Sequence, residues 1–179
     1  VIALLSGLAV AGLVGVAVAH SFTLEVAKNA KVMPQGGSVK HESIATNSKE
    51  FAVYELTGDR KSHPECTNAN GCFKFWPPVK VGSAHGLSKA PGISRKLGTW
   101  HRNGFLQVTL GGHPLYTFAP DTHKAVATGE GIMSFGGTWH VVKASASGSR
   151  GGGQTTSSNP TTTTTTTSPG GCLYPPCPY

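Results

Sequence analysis

Apolar residues fill the first 19 positions of the chain, and beyond them they occur in short runs separated by turn-forming residues. The initial run, VIALLSGLAVAGLVGVAVA, carries no charge and ends in the small-x-small sequence Ala17-Val18-Ala19. This pattern is typical of a secretory signal peptide cleaved after Ala19. The run also just reaches the length of a membrane-spanning helix, so an uncleaved membrane anchor is the alternative. Both interpretations predict an N-terminal apolar helix and an exported protein.

Between residues 38 and 143 the pattern is that of short β-strands. Residues 43–46 and 51–56 predict one hairpin, and residues 105–110 and 114–118 predict a second with a Gly-Gly turn. Alternation along 105–110 predicts a strand with one buried face. No segment in this region keeps a helical period for three turns. The sequence therefore predicts one small antiparallel all-β domain.

This predicted domain contains two related halves. Each half has a tyrosine, a large apolar residue two positions later, an aspartate three positions after that, and a tryptophan 17 or 18 residues further on. The spacing predicts a pseudo-symmetric β unit built from two repeats. The motif residues are Tyr54, Leu56, Asp59 and Trp76 in the first half, and Tyr116, Phe118, Asp121 and Trp139 in the second.

The aspartates of the two motifs have a structural and a chemical interpretation. Asp is a favoured turn former that accepts backbone N–H groups, so we expect both carboxylates in turns beside buried tyrosines. Alternatively, pseudo-symmetry brings Asp59 and Asp121 together as a carboxylate pair for a cation or for acid–base work.

The segments that flank the domain differ in composition. Residues 20–37 are expected to form a leader or linker, and residues 144–171 a disordered Ser/Gly/Thr-rich linker with too few apolar groups to order it. Residues 172–179 form a small Cys/Pro/Tyr knob.

Four cysteines occur as two close pairs, Cys66 with Cys72 and Cys172 with Cys177. An even count in an exported chain predicts disulfides. Were the thiols of the first pair reduced, His63 and the two cysteines would form a zinc or copper motif instead.

These residues together resemble a bacterial family of secreted or lipoprotein repeats named for the motif Tyr-x-(Phe/Trp/Tyr)-x-x-Asp. The resemblance implies a secreted or surface-attached protein and implies no established biochemical activity. The chain departs from the family pattern at Leu56, where an aromatic is usual, and in the longer spacing between the first two cysteines. No cysteine stands directly after the apolar run to carry an N-terminal lipid, so we do not expect this chain to be a lipoprotein. The matching pieces are 54–59, 66–72, 75–79, 107–109, 112–121 and 136–139.

The charge and the motifs of the sequence indicate which kinds of partner and activity to expect. The net charge is +7 without a run of five or more like charges, which is typical of a solvated, mildly basic surface; attraction to an anionic cell-wall polymer or an envelope protein is the alternative. We expect no nucleic-acid partner, no cofactor and no enzymatic activity, since no nucleophile elbow or phosphate loop is present. Membrane contact is expected only through an uncleaved N-terminal segment. Some aromatics are candidates for a sugar-stacking groove, and Trp100 is the one least committed to the core.

The expected function is therefore a non-enzymatic binding or structural module at the cell envelope. The alternative is a metal- or haem-handling protein that uses His63, His113 and His123 together with the acidic pair. A third interpretation, hydrolysis by Asp59 and Asp121, requires their carboxyl groups to lie within roughly 10 Å of each other.

Overall fold

A computed structural model describes residues 22–102 and 104–146. The predicted signal peptide, most of the Thr-rich linker and the Cys172–Cys177 pair lie outside the described residues. No helix among the described residues has both the length and the hydropathy needed to cross a membrane.

Strands dominate the described residues, and they pair mostly in antiparallel fashion, as the sequence predicts. The one helix within residues 22–102 and 104–146, α1, has four residues and ends in front of Trp76. The elements are β1 (Leu24–Val32), β2 (Lys40–Asn47), β3 (Tyr54–Leu56), α1 (Cys72–Phe75), β4 (Lys80–Val81), β5 (Leu97–Arg102), β6 (Phe105–Leu110), β7 (His113–Pro114), β8 (Val126–Ala127), β9 (Met133–Ser134) and β10 (Gly137–Val141).

The strands form three small sheets. Their orders are β2-β1-β8, β3-β10-β9 and β4-β6-β5, with β7 also pairing with β6. The hairpins β1-β2 and β5-β6 contain the longest strands. The other strands pair with one of these hairpins or with one another.

The expected boundary at residue 38 is wrong, because β1 is part of the domain. Leu24 and Val32 are fully or almost fully buried, and β1 pairs with β2 along its length. A bulge interrupts the strand between Ala27 and Ala30, where Asn29 has a positive φ of 56°. The bulge breaks the period-two pattern by which a strand is recognised, so residues 20–37 resemble a linker in the sequence.

The two predicted halves are related by matched backbone hydrogen bonds. The N–H of Tyr54 donates to the carbonyl of Tyr116 at 2.8 Å, and the N–H of Tyr116 donates to the carbonyl of Tyr54 at 3.0 Å. Strand β3 of the first half pairs with β10 of the second, so the closing strand of one half completes the other. The residues that precede the tyrosines show the same exchange at 2.9 Å: Val142 donates to Val53, and Val79 donates to Leu115.

Strand β6 is buried on both faces over most of its length, which corrects the prediction of one buried face. Gln107, Val108, Thr109 and Leu110 are all buried. Gln107 tolerates burial because its amide donates to the carbonyl of Leu115 at 2.9 Å and its Oε1 accepts from Arg102 at 3.0 Å.

Candidate functional site

The tyrosines and aspartates of the two motifs exchange partners between the halves. Tyr54 Oη donates to Asp121 Oδ2 at 2.6 Å, and Tyr116 Oη donates to Asp59 Oδ2 at 2.7 Å. All four residues are buried. Each motif therefore supplies a tyrosine to the other motif's aspartate, and neither half completes this hydrogen bond alone.

The second oxygen of each aspartate accepts from the backbone of a following loop. Asp59 Oδ1 accepts from the N–H of Glu65, and Asp121 Oδ1 accepts from the N–H of Thr128, both at 2.9 Å. Burial raises the pKa of each aspartate, and the hydrogen bonds it accepts lower that pKa in part. Each carboxylate is thus held by its own set of donors, which is the arrangement expected of turn-forming residues that fasten a core.

Burial also raises the pKa of Tyr54 and Tyr116 well above that of an ordinary phenol, with the paired carboxylate as the next cause. Both phenols therefore remain protonated donors across the physiological pH range. Tyr54 Oη in turn accepts from the N–H of Gly129 at 3.2 Å.

The two motif tryptophans stack at the centre of the domain. Trp76 and Trp139 lie 3.7 Å apart between ring centroids with their planes 4° from parallel. Tyr54 meets Trp76 edge to face at 5.3 Å, and Tyr116 meets Trp139 in the same way at 5.2 Å. Phe118 stacks on the other side of Trp76 at 4.3 Å. The motif residues thus form one aromatic core shared by both halves.

The predicted disulfide between Cys66 and Cys72 is present. The carbonyl of Cys66 accepts from Arg102 Nη2 at 2.9 Å. Arg102 Nη1 donates to Tyr116 Oη at 3.1 Å as well as to Gln107. Arg102 therefore ties the loop closed by the disulfide to the buried Tyr116–Asp59 pair.

The other side of Arg102 forms part of an open groove of about 680 Å3, which we call the aromatic groove. The guanidinium carbon of Arg102 lies 4.0 Å from the ring centroid of Trp100 and 4.9 Å from that of Phe73. Lys80 Nζ lies 4.5 Å from the ring centroid of Phe105. Pro64, Thr67, Asn68 and Ala69 also line the groove, and no Asp or Glu lines it among the described residues. The aromatic and basic side chains that line the groove are Phe73, Lys80, Trp100, His101, Arg102 and Phe105.

The three histidines named from the sequence occupy separate positions. His63 Nε2 lies 3.0 Å from Glu65 Oε1 at the surface, and His123 is exposed. His113 Nδ1 lies 2.7 Å from Arg60 Nη1, and burial is the first cause that lowers the pKa of this histidine. Across the part of the chain that the structure describes, no three His, Cys, Asp or Glu side chains group as metal ligands.

The comparisons with known proteins match one segment of the chain, which contains the second motif. Residues 97–143 match the family model of a secreted repeat of unknown function. The matched segment begins at β5 and ends just after β10, and it contains Tyr116, Asp121 and Trp139. The resemblance drawn from the sequence is confirmed for this segment, and the family description fits an extracytoplasmic module. No curated protein and no solved structure matches the chain.

Sequence reasoning named Trp100 as a candidate for a sugar-stacking groove but missed the role of Arg102. The available signal was the spacing of the two residues, since residues two apart on a strand share a face. The sequence does not indicate which strand and which loop pack beside these two residues to complete the groove.

Proposed function

We propose that this protein is a non-enzymatic extracytoplasmic module that binds an anionic polymer of the cell envelope through the aromatic groove. The secreted family of residues 97–143 supports the location. The groove supports the binding role, because it gathers Lys80, His101 and Arg102 without an acidic residue among its lining.

The observation that carries the proposal is a difference between two equivalent lysines. Lys80 and Lys143 each follow a motif tryptophan by four positions. Lys143 Nζ is paired with Glu42 Oε2 at 2.8 Å. At the corresponding place in the other half, Lys80 faces the ring of Phe105. One lysine is therefore neutralised within the protein, while the other offers its charge to a ligand.

The buried acids support a role other than catalysis. Asp59 is fully buried, Asp121 is 6% exposed, and both accept hydrogen bonds from tyrosine and from backbone amides. A general acid or base must reach a substrate proton within hydrogen-bond distance. The oxygens of these two carboxylates instead accept hydrogen bonds from within the domain.

Lys80 and Lys143 also supply a matched pair of variants. Titration calorimetry of the full chain against polygalacturonate measures binding of Lys80→Gln and Lys143→Gln beside the wild type. Each variant lowers the net charge by the same amount. We expect Lys80→Gln to weaken binding by about fivefold or more, since a lost charge contact contributes on the order of 1 kcal/mol. Lys143→Gln should bind as the wild type does.

Equal weakening by the two variants would show that overall charge, and not the groove, attracts the polymer. An absence of binding at low ionic strength to polygalacturonate and to a phosphorylated mannan would remove the proposed function.

A further inference from the structure

We infer that the ligand of the aromatic groove is an acidic glycan, whose sugar rings contact the aromatic side chains while its carboxylate or phosphate groups contact the cations. This inference rests on the proposed function and specifies the polymer that the groove accepts. Three features of the groove support it.

The first feature is the order of side chains across the sheet. The register places Trp100 opposite Gln107 and Gln107 opposite Lys80, so the indole and the ammonium lie on one cross-strand row. Arg102 is opposite Phe105 on the next row. Neighbouring strands lie about 4.8 Å apart, so Trp100 and Lys80 are separated by roughly 10 Å across the sheet. Aromatic and cationic groups therefore alternate within the span of a short saccharide.

The second feature is the partial exposure of three aromatic rings. The motif tyrosines and tryptophans are fully buried, whereas Trp100, Phe73 and Phe105 are only partly buried and line the groove. Charge alone would attract a polyanion to a surface of lysines and arginines, and rings would be unnecessary. Rings that remain open to solvent beside those cations supply apolar contact area for a ligand with an apolar face. Sugar rings carry such a face of C–H groups.

The third feature is a neutral polar wall within the lining of the groove. Thr67 and Asn68 line the groove from the loop that the disulfide closes. Their hydroxyl and amide groups can donate and accept hydrogen bonds. A glycan carries hydroxyl groups that match this wall, whereas a polyanion without hydroxyls leaves it unused.

The groove is also held in shape before a ligand arrives. Arg102 donates to the side chains of Gln107 and Tyr116 and to the backbone of Cys66. A side chain fixed in this way loses little further freedom on binding, so more of the contact energy appears as affinity. The fixed guanidinium lies against Trp100 and keeps that ring in place.

The test compares polymers that differ in one property at a time. The full chain is titrated with polygalacturonate, a phosphorylated mannan, poly-L-glutamate, dextran and a single-stranded oligonucleotide. We expect binding to one or both acidic glycans, and binding to polyglutamate and dextran that is weaker by about tenfold or more. The polygalacturonate and mannan titrations tell carboxylate recognition from phosphate recognition.

Two variants test the rings themselves. Trp100→Ala and Phe105→Leu should each weaken glycan binding by about fivefold, which is about 1 kcal/mol, because each variant lacks the flat ring against which a sugar ring packs. Phe105→Leu keeps an apolar side chain of similar bulk, so it tests the ring even if the tryptophan variant folds poorly. Neither variant should change binding to polyglutamate.

The possible failures are distinct. If no anionic polymer binds, both the proposed function and this inference are lost. If polyglutamate binds as tightly as the acidic glycans, the groove recognises charge, the proposed function stands and the glycan inference is overturned. Tighter binding to the oligonucleotide, or wild-type glycan affinity in both ring variants, also overturns it.

Discussion

The exchanged hydrogen bond between Tyr54 and Asp121 predicts strong energetic coupling between residues of different halves. Tyr54→Phe removes the donor to a buried carboxylate and also the acceptor of the Gly129 N–H. A hydrogen bond to a charged group contributes about 1.5–3 kcal/mol, and an unsatisfied buried N–H costs about 1–3 kcal/mol. We therefore expect Tyr54→Phe to lower the free energy of unfolding by about 3 kcal/mol.

A double-mutant cycle separates this interaction from its surroundings. In the cycle of Tyr54→Phe with Asp121→Ala, we expect a coupling energy of about 1.5–3 kcal/mol, the energy of the shared hydrogen bond. The control cycle pairs Tyr54→Phe with Asp59→Ala, which belongs to the same sequence motif. Its coupling should stay below about 0.5 kcal/mol, because Asp59 bonds to Tyr116 instead.

Urea unfolding of the full chain under non-reducing conditions, which keep the Cys66–Cys72 disulfide intact, measures all of these variants by tryptophan fluorescence. The slopes of free energy against urea should agree between variants, so that the extrapolated differences report stability. A coupling within the motif that equals or exceeds the coupling across the halves would refute the exchange of partners.

Further predictions concern the loop, a glycine and a histidine. Replacing both Cys66 and Cys72 by Ser should lower the free energy of unfolding by about 2 kcal/mol, the loop-closure entropy of so short a ring, as a urea midpoint would show. Gly129→Ala should destabilise by about 1–3 kcal/mol in the same assay, since its new Cβ would lie 2.6 Å from the ring of Trp76. Burial lowers the pKa of His113, so the stabilisation from its neutral ring is present above about pH 6.5 and is lost as pH falls below that value. His113→Gln should therefore flatten the stability–pH curve between about pH 7 and 5.

Each of these outcomes has a contrary result. Gly82→Ala is the matched control for Gly129, because no atom lies within 4 Å of its added Cβ, and equal destabilisation by both would remove the steric argument. For the disulfide, an unchanged urea midpoint in the serine variant would mean that the loop is held without it. A pH dependence of stability between about pH 7 and 5 that is the same in His113→Gln as in the wild type would exclude a contribution from that ring.

The sequence predicted which motif residues form the core, but it did not predict which tyrosine bonds to which aspartate. The motif spacing identifies Tyr54, Asp59, Tyr116 and Asp121 as equivalent positions. The same spacing would arise if each tyrosine bonded to the aspartate of its own motif. A period-two pattern specifies which face of a strand is buried, but it does not specify the partner strand. The exchange between halves is therefore a property of the topology.

The aromatic groove was harder to predict for a related reason. Its cations and rings come from α1, β4 and the β5-β6 hairpin, and about 20 residues separate the hairpin from the first two elements. Taken singly, Lys80 and Arg102 are scattered basic residues of the kind that usually lie on a solvated face. Long-range strand pairing alone brings them together, and no local pattern reports it.

The two halves share a core but differ at their surfaces, and the proposed function assigns ligand binding to the surface at which they differ. The backbone bonds between Tyr54 and Tyr116 are reciprocal, as are the side-chain bonds that each tyrosine makes to the other half. The site beside Lys143 carries an acid, Glu42, whereas the site beside Lys80 carries a ring. A frame that neither half completes alone fixes both surfaces in space, so one surface can change its charge without disturbing the core. Ligand recognition should therefore follow substitutions at the aromatic groove, while stability should follow substitutions at the exchanged pairs.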